Sequence, residues 1–307
     1  MNKSVLITGG FGFLGKAAAS KFKLCGYNVF GIGNGRWDSH EFNSHGFDGW
    51  LDATVSMSSL ASLNQKFDVI VHCAGNGSVG YSLTNPLQDF KKTVDGTAEL
   101  LEYVRLSNSA ARLVYPSSAG VYGSKPDVPI KETDPLNPIS PYGYHKRAAE
   151  ELCESYARTY GLNVSIIRFF SIYGPGLTKQ LLWDASNKLL SSQDEVVFWG
   201  TGEETRDWIY IDDATELIIR AAQISETVNI INGASGIRVT VRDTIELMRD
   251  ALGSQATIAF NNIVKEGDPR FYNADTSATQ KWGFISKTPL AEGIQKYASW
   301  YKDYHHG

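Results

Sequence analysis

Residues 5–8, Val-Leu-Ile-Thr, form a short β-branched run that gives way to glycines, and residues 16–24 then carry apolar positions at helical spacing. That pattern of strand, turn and helix returns along the chain. The runs 28–32, 67–73, 112–115 and 163–169 are each short and almost wholly apolar, as strands buried on both faces are, and helical stretches separate most of them. Two helices are long. One covers 87–106, and the other covers 142–160, where Ala148, Leu152 and Tyr156 recur every four residues. Such alternation predicts an α/β fold on a doubly wound parallel sheet.

Gly9, Gly12 and Gly15 form G-x-x-G-x-x-G between the first strand and the first helix. Glycine there lets the backbone approach a pyrophosphate at a helix N-terminus, which makes the sheet Rossmann-type and its ligand a dinucleotide. Beyond about residue 171 the rhythm changes to loops rich in Gly, Pro and Trp, a smaller substrate lobe. The run 208–211, a helix over 212–222 and the run 228–231 resemble a return to the large sheet. The expected division is therefore interleaved: 1–170 with 207–232 for the dinucleotide, and 171–206 with 233–307 for the substrate.

Charge and cysteine content narrow the classes further. Lys plus Arg is 29 and Asp plus Glu is 33, a net −4 that argues against a nucleic-acid binder. The three cysteines, Cys25, Cys73 and Cys153, are far apart and odd in number, which fits a reducing compartment and no disulfide framework. No Cys-His spacing suggests a metal site, and none is expected from His305 and His306 at the end. Apolar runs such as 164–167 end far short of the roughly 18 residues of a membrane span, and residues 1–4 lead straight into a strand without a signal-peptide pattern. A cytoplasmic setting is expected.

In dinucleotide sites an acidic residue near the end of the second strand usually binds the adenosine ribose. Here that position is Gly33, followed by Asn34 and Arg36. An arginine without a competing carboxylate suits a 2′-phosphate, so NADP(H) is the expected cofactor and NAD(H) the alternative; the plainer reading of Arg36 is a solvated loop side chain. Asp52, after the strand-like 49–51, can accept the adenine amino group or can simply be exposed. Tyr142 and Lys146 stand four apart, which stacks them on one helix face and lets the ammonium depress the phenol pKa. Such a pair arises by chance about once in a chain of this composition, and its weight comes from Ser117-Ser118 at the end of the 112–115 strand, where an α/β sheet places its ligand.

Together the motifs Thr8-Gly9-Gly10-Phe11-Gly12-Phe13-Leu14-Gly15, His72-Cys73-Ala74-Gly75, Pro116-Ser117-Ser118-Ala119-Gly120-Val121-Tyr122-Gly123, 142–146, 168–175, Gly200-Thr201-Gly202 and Arg206-Asp207-Trp208 span nearly the whole chain. In them the chain resembles the extended short-chain dehydrogenase/reductase family, in particular its nucleotide-sugar epimerases, dehydratases and 4-ketoreductases. The resemblance implies that Tyr142 is the acid/base, that Lys146 holds the nicotinamide ribose and tunes Tyr142, and that Ser118 positions the reacting sugar oxygen. It implies a cofactor site lined by Gly9, Gly12, Phe13, Leu14, Gly15, Asn34, Arg36, Asp52, Ala53, Cys73, Ala74, Gly75, Lys146 and Phe169. For a nucleoside-diphosphate sugar it implies contacts from Ser118, Ser171 and Arg206, with Lys265 and Arg270 as a second phosphate contact or as solvated surface charges. It also implies a homodimer paired through the two long helices, unless their apolar faces only cover the sheet.

Departures from the family pattern point to subtype. The 4,6-dehydratases carry Asp-Glu directly after the active-site hydroxyl, and this chain has Ala119-Gly120, so the groups that eliminate water are missing. Thr93 and Ser171 stand where the family usually has asparagines. The leading expectation is NADPH-dependent reduction of a 4-keto sugar. An NAD-dependent 4-epimerase is the alternative, and a silent NADP-binding sensor or scaffold is the reading from another class.

Overall fold

A computed structural model describes residues 2–191, 194–263, 267 and 269–306. Its strands are β1 (Ser4–Thr8), β2 (Asn28–Gly33), β3 (Gly49–Asp52), β4 (Val69–His72), β5 (Arg112–Ser118), β6 (Asn163–Phe169), β7 (Ser171–Tyr173), β8 (Glu195–Phe198), β9 (Thr205–Tyr210), β10 (Val228–Gly233), β11 (Arg238–Thr240) and β12 (Thr257–Phe260). Seven of them form one sheet in the order β10-β6-β5-β4-β1-β2-β3, and every pairing from β3 across to β6 is parallel. This is the expected Rossmann-type α/β architecture, with the chain reversing direction across the sheet at β1 and β4. Val5, Leu6, Ile7, Ile70, Val71, Leu113, Val114, Ile166 and Ile167 are all inaccessible to solvent. Burial on both faces is why these strands read as continuous apolar runs rather than alternating ones.

The chain packs as two units. The first comprises residues up to Gly123, Leu136–Phe169 and Thr215–Ile231; the second comprises Ser124–Pro135, Phe170–Ala214 and residues from Asn232 onward. Within the second unit are a three-stranded sheet, β11-β9-β7, and a two-stranded one, β12-β8. The run 208–211 does not return to the large sheet as expected. Residues 208–210 belong to β9, which runs parallel to β7 and antiparallel to β11, and Ile211 already opens the next helix; only the 228–231 run rejoins, as β10.

The first helix is Phe13–Leu24, three residues longer at its start than expected, because Gly12 is already extended at its N-cap. The 87–106 stretch is not one regular helix. Helices Pro86–Phe90 and Gly96–Ser107 are joined by a π-helical turn, Lys91–Asp95. The wider turn shifts the phase of the faces on either side and carries Thr93. Helix Pro141–Tyr160 begins where the Ser140 hydroxyl accepts the Gly143 N–H (3.3 Å) and ends at Gly161 in the left-handed conformation. No helix among the described residues is long and apolar enough to cross a membrane.

Candidate active site

The parallel strands of the first unit end together, and most of the expected site residues lie on those ends. Gly9 follows β1 with φ +64°, and a Cβ on it would lie 2.6 Å from the Ala74 nitrogen. Only glycine lets the β1 loop lie this close to the Cys73-Ala74 backbone after β4, where the Ala74 N–H also donates to the Thr8 hydroxyl (3.2 Å). The N-terminus of helix Phe13–Leu24 has no side-chain cap and no acidic residue in its first turn. Its free N–H groups fit an external anion such as a dinucleotide pyrophosphate.

At the ends of β2 and β3 the structure adds a carboxylate that position 33 lacks. Gly33 is register partner of Asp52. One Asp52 oxygen accepts the Gly35 N–H at 3.0 Å, and the other lies 3.8 Å from the Arg36 guanidinium, itself 97% exposed. Asn34 accepts from the Thr54 hydroxyl (3.0 Å) and Ala53 N–H bonds to the Gly33 carbonyl (3.1 Å), so the 33–36 and 52–54 segments are joined. Beside them is a group of rings, Phe11, Trp37, Phe47 and Trp50, with Trp37 4.5 Å from Phe11 and 4.7 Å from Trp50 between centroids. Two glycines make room for it: a Cβ on Gly31 would lie 2.6 Å from Trp50, and one on Gly35 would lie 2.2 Å from Phe11.

Ser118 ends β5, with its hydroxyl accepting the Gly120 N–H (3.1 Å) and bonding the Tyr142 phenol. Gly120 lies against that ring; a Cβ there would be 3.4 Å from both the Ser118 hydroxyl and the Tyr142 ring. Lys146, one turn on from Tyr142, is buried, donates to the Pro116 carbonyl (3.0 Å) and stands 4.8 Å over the Tyr115 ring. Loss of solvent lowers its pKa to about 8. The phenol moves the other way from the expectation. Loss of solvent raises the Tyr142 pKa, the bond from Ser118 only partly opposing it and the Asp89 charge adding to it, so at neutral pH Tyr142 holds its proton. Phe169 ends β6 as register partner of Ser118.

A layer of buried polar groups lies under this surface, and the sequence reading missed it. Glu150, 1% exposed, accepts two bonds from the Arg168 Nε at 3.2 and 3.1 Å and one from its Nη2 at 2.8 Å, and it also takes the Ser117 hydroxyl. The remaining Arg168 nitrogen, Nη1, donates to the Tyr122 hydroxyl (3.2 Å). His72 links the Thr8 and Thr97 hydroxyls at 2.7 and 3.1 Å, and burial, with the nearby Lys146 charge, drives its pKa down to about 3, so the imidazole is neutral. Asp89, inaccessible to solvent, bonds Asn76 (2.7 Å) and His145 (2.5 Å). An acid at every fourth position after Tyr142 and Lys146 was the one available signal, and it marks Glu150.

Of the expected substrate contacts, Ser171, Arg206 and Arg270 belong to the second unit. Thr205 N–H bonds to the Arg270 carbonyl (2.9 Å), which brings Arg206 and Arg270 onto neighbouring segments. Arg206 donates to the carbonyls of Thr205 (2.8 Å) and Pro269 (3.0 Å), with its guanidinium 5.8 Å over Tyr272. Lys265 lies outside the described residues.

Comparison with known proteins gives one consistent picture. The profile of the NAD dependent epimerase/dehydratase family matches residues 5–232. A UDP-glucose 4-epimerase of Mycolicibacterium smegmatis is 30% identical over 97% of this chain and 98% of its own length. Among solved structures, the UDP-glucose 4-epimerase of Thermotoga maritima with UDP-glucose is 26% identical, with 98% of this chain and 99% of that one covered and a TM-score of 0.87. MoeE5 in complex with UDP-glucuronic acid and NAD is also 26% identical, with the same coverage and a TM-score of 0.88.

Proposed function

The chain belongs to the NAD dependent epimerase/dehydratase family, and on that premise we propose that it is an NAD-dependent 4-epimerase of a UDP-linked hexose or hexuronate. One observation carries the reading: Ser118, Tyr142 and Lys146 meet at a strand end beside a glycine cradle, in a chain whose relatives with UDP-sugar 4-epimerase activity align along its whole length. This replaces 4-keto reduction as the leading reading, since a net reductase is not what those relatives are.

NAD, held by the Gly9-Gly12-Gly15 loop and the uncapped N-terminus of helix Phe13–Leu24, would supply reversible hydride chemistry at C4 of the sugar. The protein's part is the proton. Ser118 and Tyr142 share the C4 oxygen; the Tyr142 Oη accepts its proton as C4 becomes a ketone and gives it back once the sugar has turned its other face. Burial within the protein alone holds Tyr142 protonated, so its base role requires added positive charge once cofactor and sugar are bound, and Lys146, one helical turn away, is the residue placed to contribute it. Dehydration is disfavoured by chemistry, since Ala119 and Gly120 carry no acid or base beside Ser118 and Tyr142. Arg206 and Arg270 are the candidates for the substrate diphosphate, for which a planar fork is suited.

Incubation with UDP-, GDP-, CDP- and dTDP-hexoses, followed by product NMR and NADH absorbance, tests the reaction. Two UDP-hexose C4 epimers should interconvert with no net change in cofactor. Stoichiometric NADPH consumption on a 4-keto sugar would overturn the reading.

The preference for NADP(H) expected from Gly33 and Arg36 also gives way to NAD. What supports NAD is the Asp52 carboxylate across from Gly33: its charge repels a 2′-phosphate and occupies Arg36 weakly. In titrations of both cofactors, NAD+ should bind more tightly than NADP+, and Arg36→Ala should leave NAD+ binding within about threefold, as for an exposed charge. Tighter NADP+ binding that is lost in Arg36→Ala would restore the 2′-phosphate reading.

A further inference from the structure

We infer that Glu150 is a positioning residue for this reaction: its one carboxylate ties the helix bearing Tyr142 and Lys146 to the strand ends bearing Ser118 and Phe169, and sets a negative charge one helical turn from the Lys146 ammonium. The inference rests on the proposed 4-epimerase reading only for its activity readout.

The geometry is direct. Tyr142, Lys146 and Glu150 are spaced by four and share one face of helix Pro141–Tyr160. From that face Glu150 takes the hydroxyl of Ser117, the residue before Ser118 on β5, and three bonds from Arg168, the residue before Phe169 on β6. Ser117 and Arg168 are themselves register partners. A single side chain therefore fixes the helix against the two strands whose last residues form the reacting surface. With Glu150 1% and Arg168 3% exposed, water cannot substitute for either partner.

The second effect is electrostatic. The groups that face Lys146 are Cys73 and His72 from β4 and its following loop, Asp89 from helix Pro86–Phe90, Tyr115 from β5, and Tyr142, Glu150 and Cys153 from its own helix; the Arg168 guanidinium lies behind Glu150. Burial pulls the Lys146 pKa down to about 8, and the acidic groups oppose that pull. Burial pushes the Cys73 thiol up to about 12 and the Cys153 thiol higher still, so both are neutral where Lys146 titrates. The charges left to keep the ammonium protonated are the carboxylates of Glu150 and Asp89.

Glu150→Gln keeps the shape and removes the charge. Lysine side-chain NMR titration of the full chain, with Lys146→Met to assign the signal, should show the Lys146 midpoint near pH 8 in the parent and roughly one to three units lower in Glu150→Gln, the range for loss of a nearby charge. The alkaline limb of the kcat profile should move down with it. Glu150→Asp, which keeps the charge and shortens the reach, should hold the parent midpoint while kcat falls. An unmoved midpoint in Glu150→Gln overturns the electrostatic role, and parent kcat in Glu150→Asp overturns the tie to the strands. If Glu150→Gln gives no folded protein, a Lys146 midpoint displaced in Glu150→Asp overturns the inference instead. Should the parent not epimerise any UDP-sugar, the proposed function fails, and the NMR midpoints still decide for Glu150.

Discussion

Tyr142→Phe is expected to lower kcat for epimerisation by about 10²- to 10⁴-fold, the contribution of a positioned acid/base. The substitution removes one oxygen and leaves the ring where Gly120 and Ser118 meet it. Nothing on the fold side should change. Tyr142 is not part of the cradle formed by the loop after β1 and the start of helix Phe13–Leu24, so NAD+ affinity should stay near that of the parent. Single-turnover NMR with a C4 epimer pair gives the rate, and a cofactor titration on the same sample gives the affinity. Turnover within threefold of the parent would remove Tyr142 from the acid/base role.

Arg168→Met is expected to destabilise the protein by about 3–5 kcal/mol, the usual penalty for leaving a buried charge without its partner. Methionine fills much of the arginine volume, so the loss is electrostatic: Glu150 keeps only the Ser117 hydroxyl, and Tyr122 loses the Nη1 donor. A second substitution gives the control. Arg168→Met with Glu150→Leu removes both charges, and most of the stability should return. Urea denaturation of the parent, both single variants and the double variant measures the cycle. A loss below about 1 kcal/mol in Arg168→Met, as for an exposed pair, would show the pair to be solvated.

Particular residues show why some of this was legible in the sequence. Strands β1, β4, β5 and β6 announced themselves because both faces are buried, and the Gly9-Gly12-Gly15 spacing located the cradle because the close backbone approaches at Gly9 and Gly15 tolerate no other residue. The run 208–211 misled for a related reason: the Trp208-Ile209-Tyr210 end of β9 is as apolar as a strand of the large sheet, although β9 starts Thr-Arg-Asp, and an apolar run does not say which sheet receives it. The π-helical turn over Lys91–Asp95 was invisible, since one added residue changes the phase of an apolar stripe without erasing it. Pairings across distant segments were hidden as well. Glu150 meets an arginine 18 positions later on a different element, and Asp52 stands beside Gly33 only once β2 and β3 have paired.

The rings beside the ends of β2 and β3 impose an order on how this corner of the protein can diverge. Trp50 covers the face of Gly31 and Phe11 covers Gly35, each within 3 Å of where a Cβ would sit. A lineage cannot first enlarge the glycine, because the ring is in the way. It must first shrink the tryptophan or phenylalanine, passing through a form with an unfilled hollow, which costs about 3–5 kcal/mol for a buried large aromatic and less for these partly exposed ones. Gly31 with Trp50, and Gly35 with Phe11, should therefore be inherited as pairs: descendants that keep the ring keep its glycine.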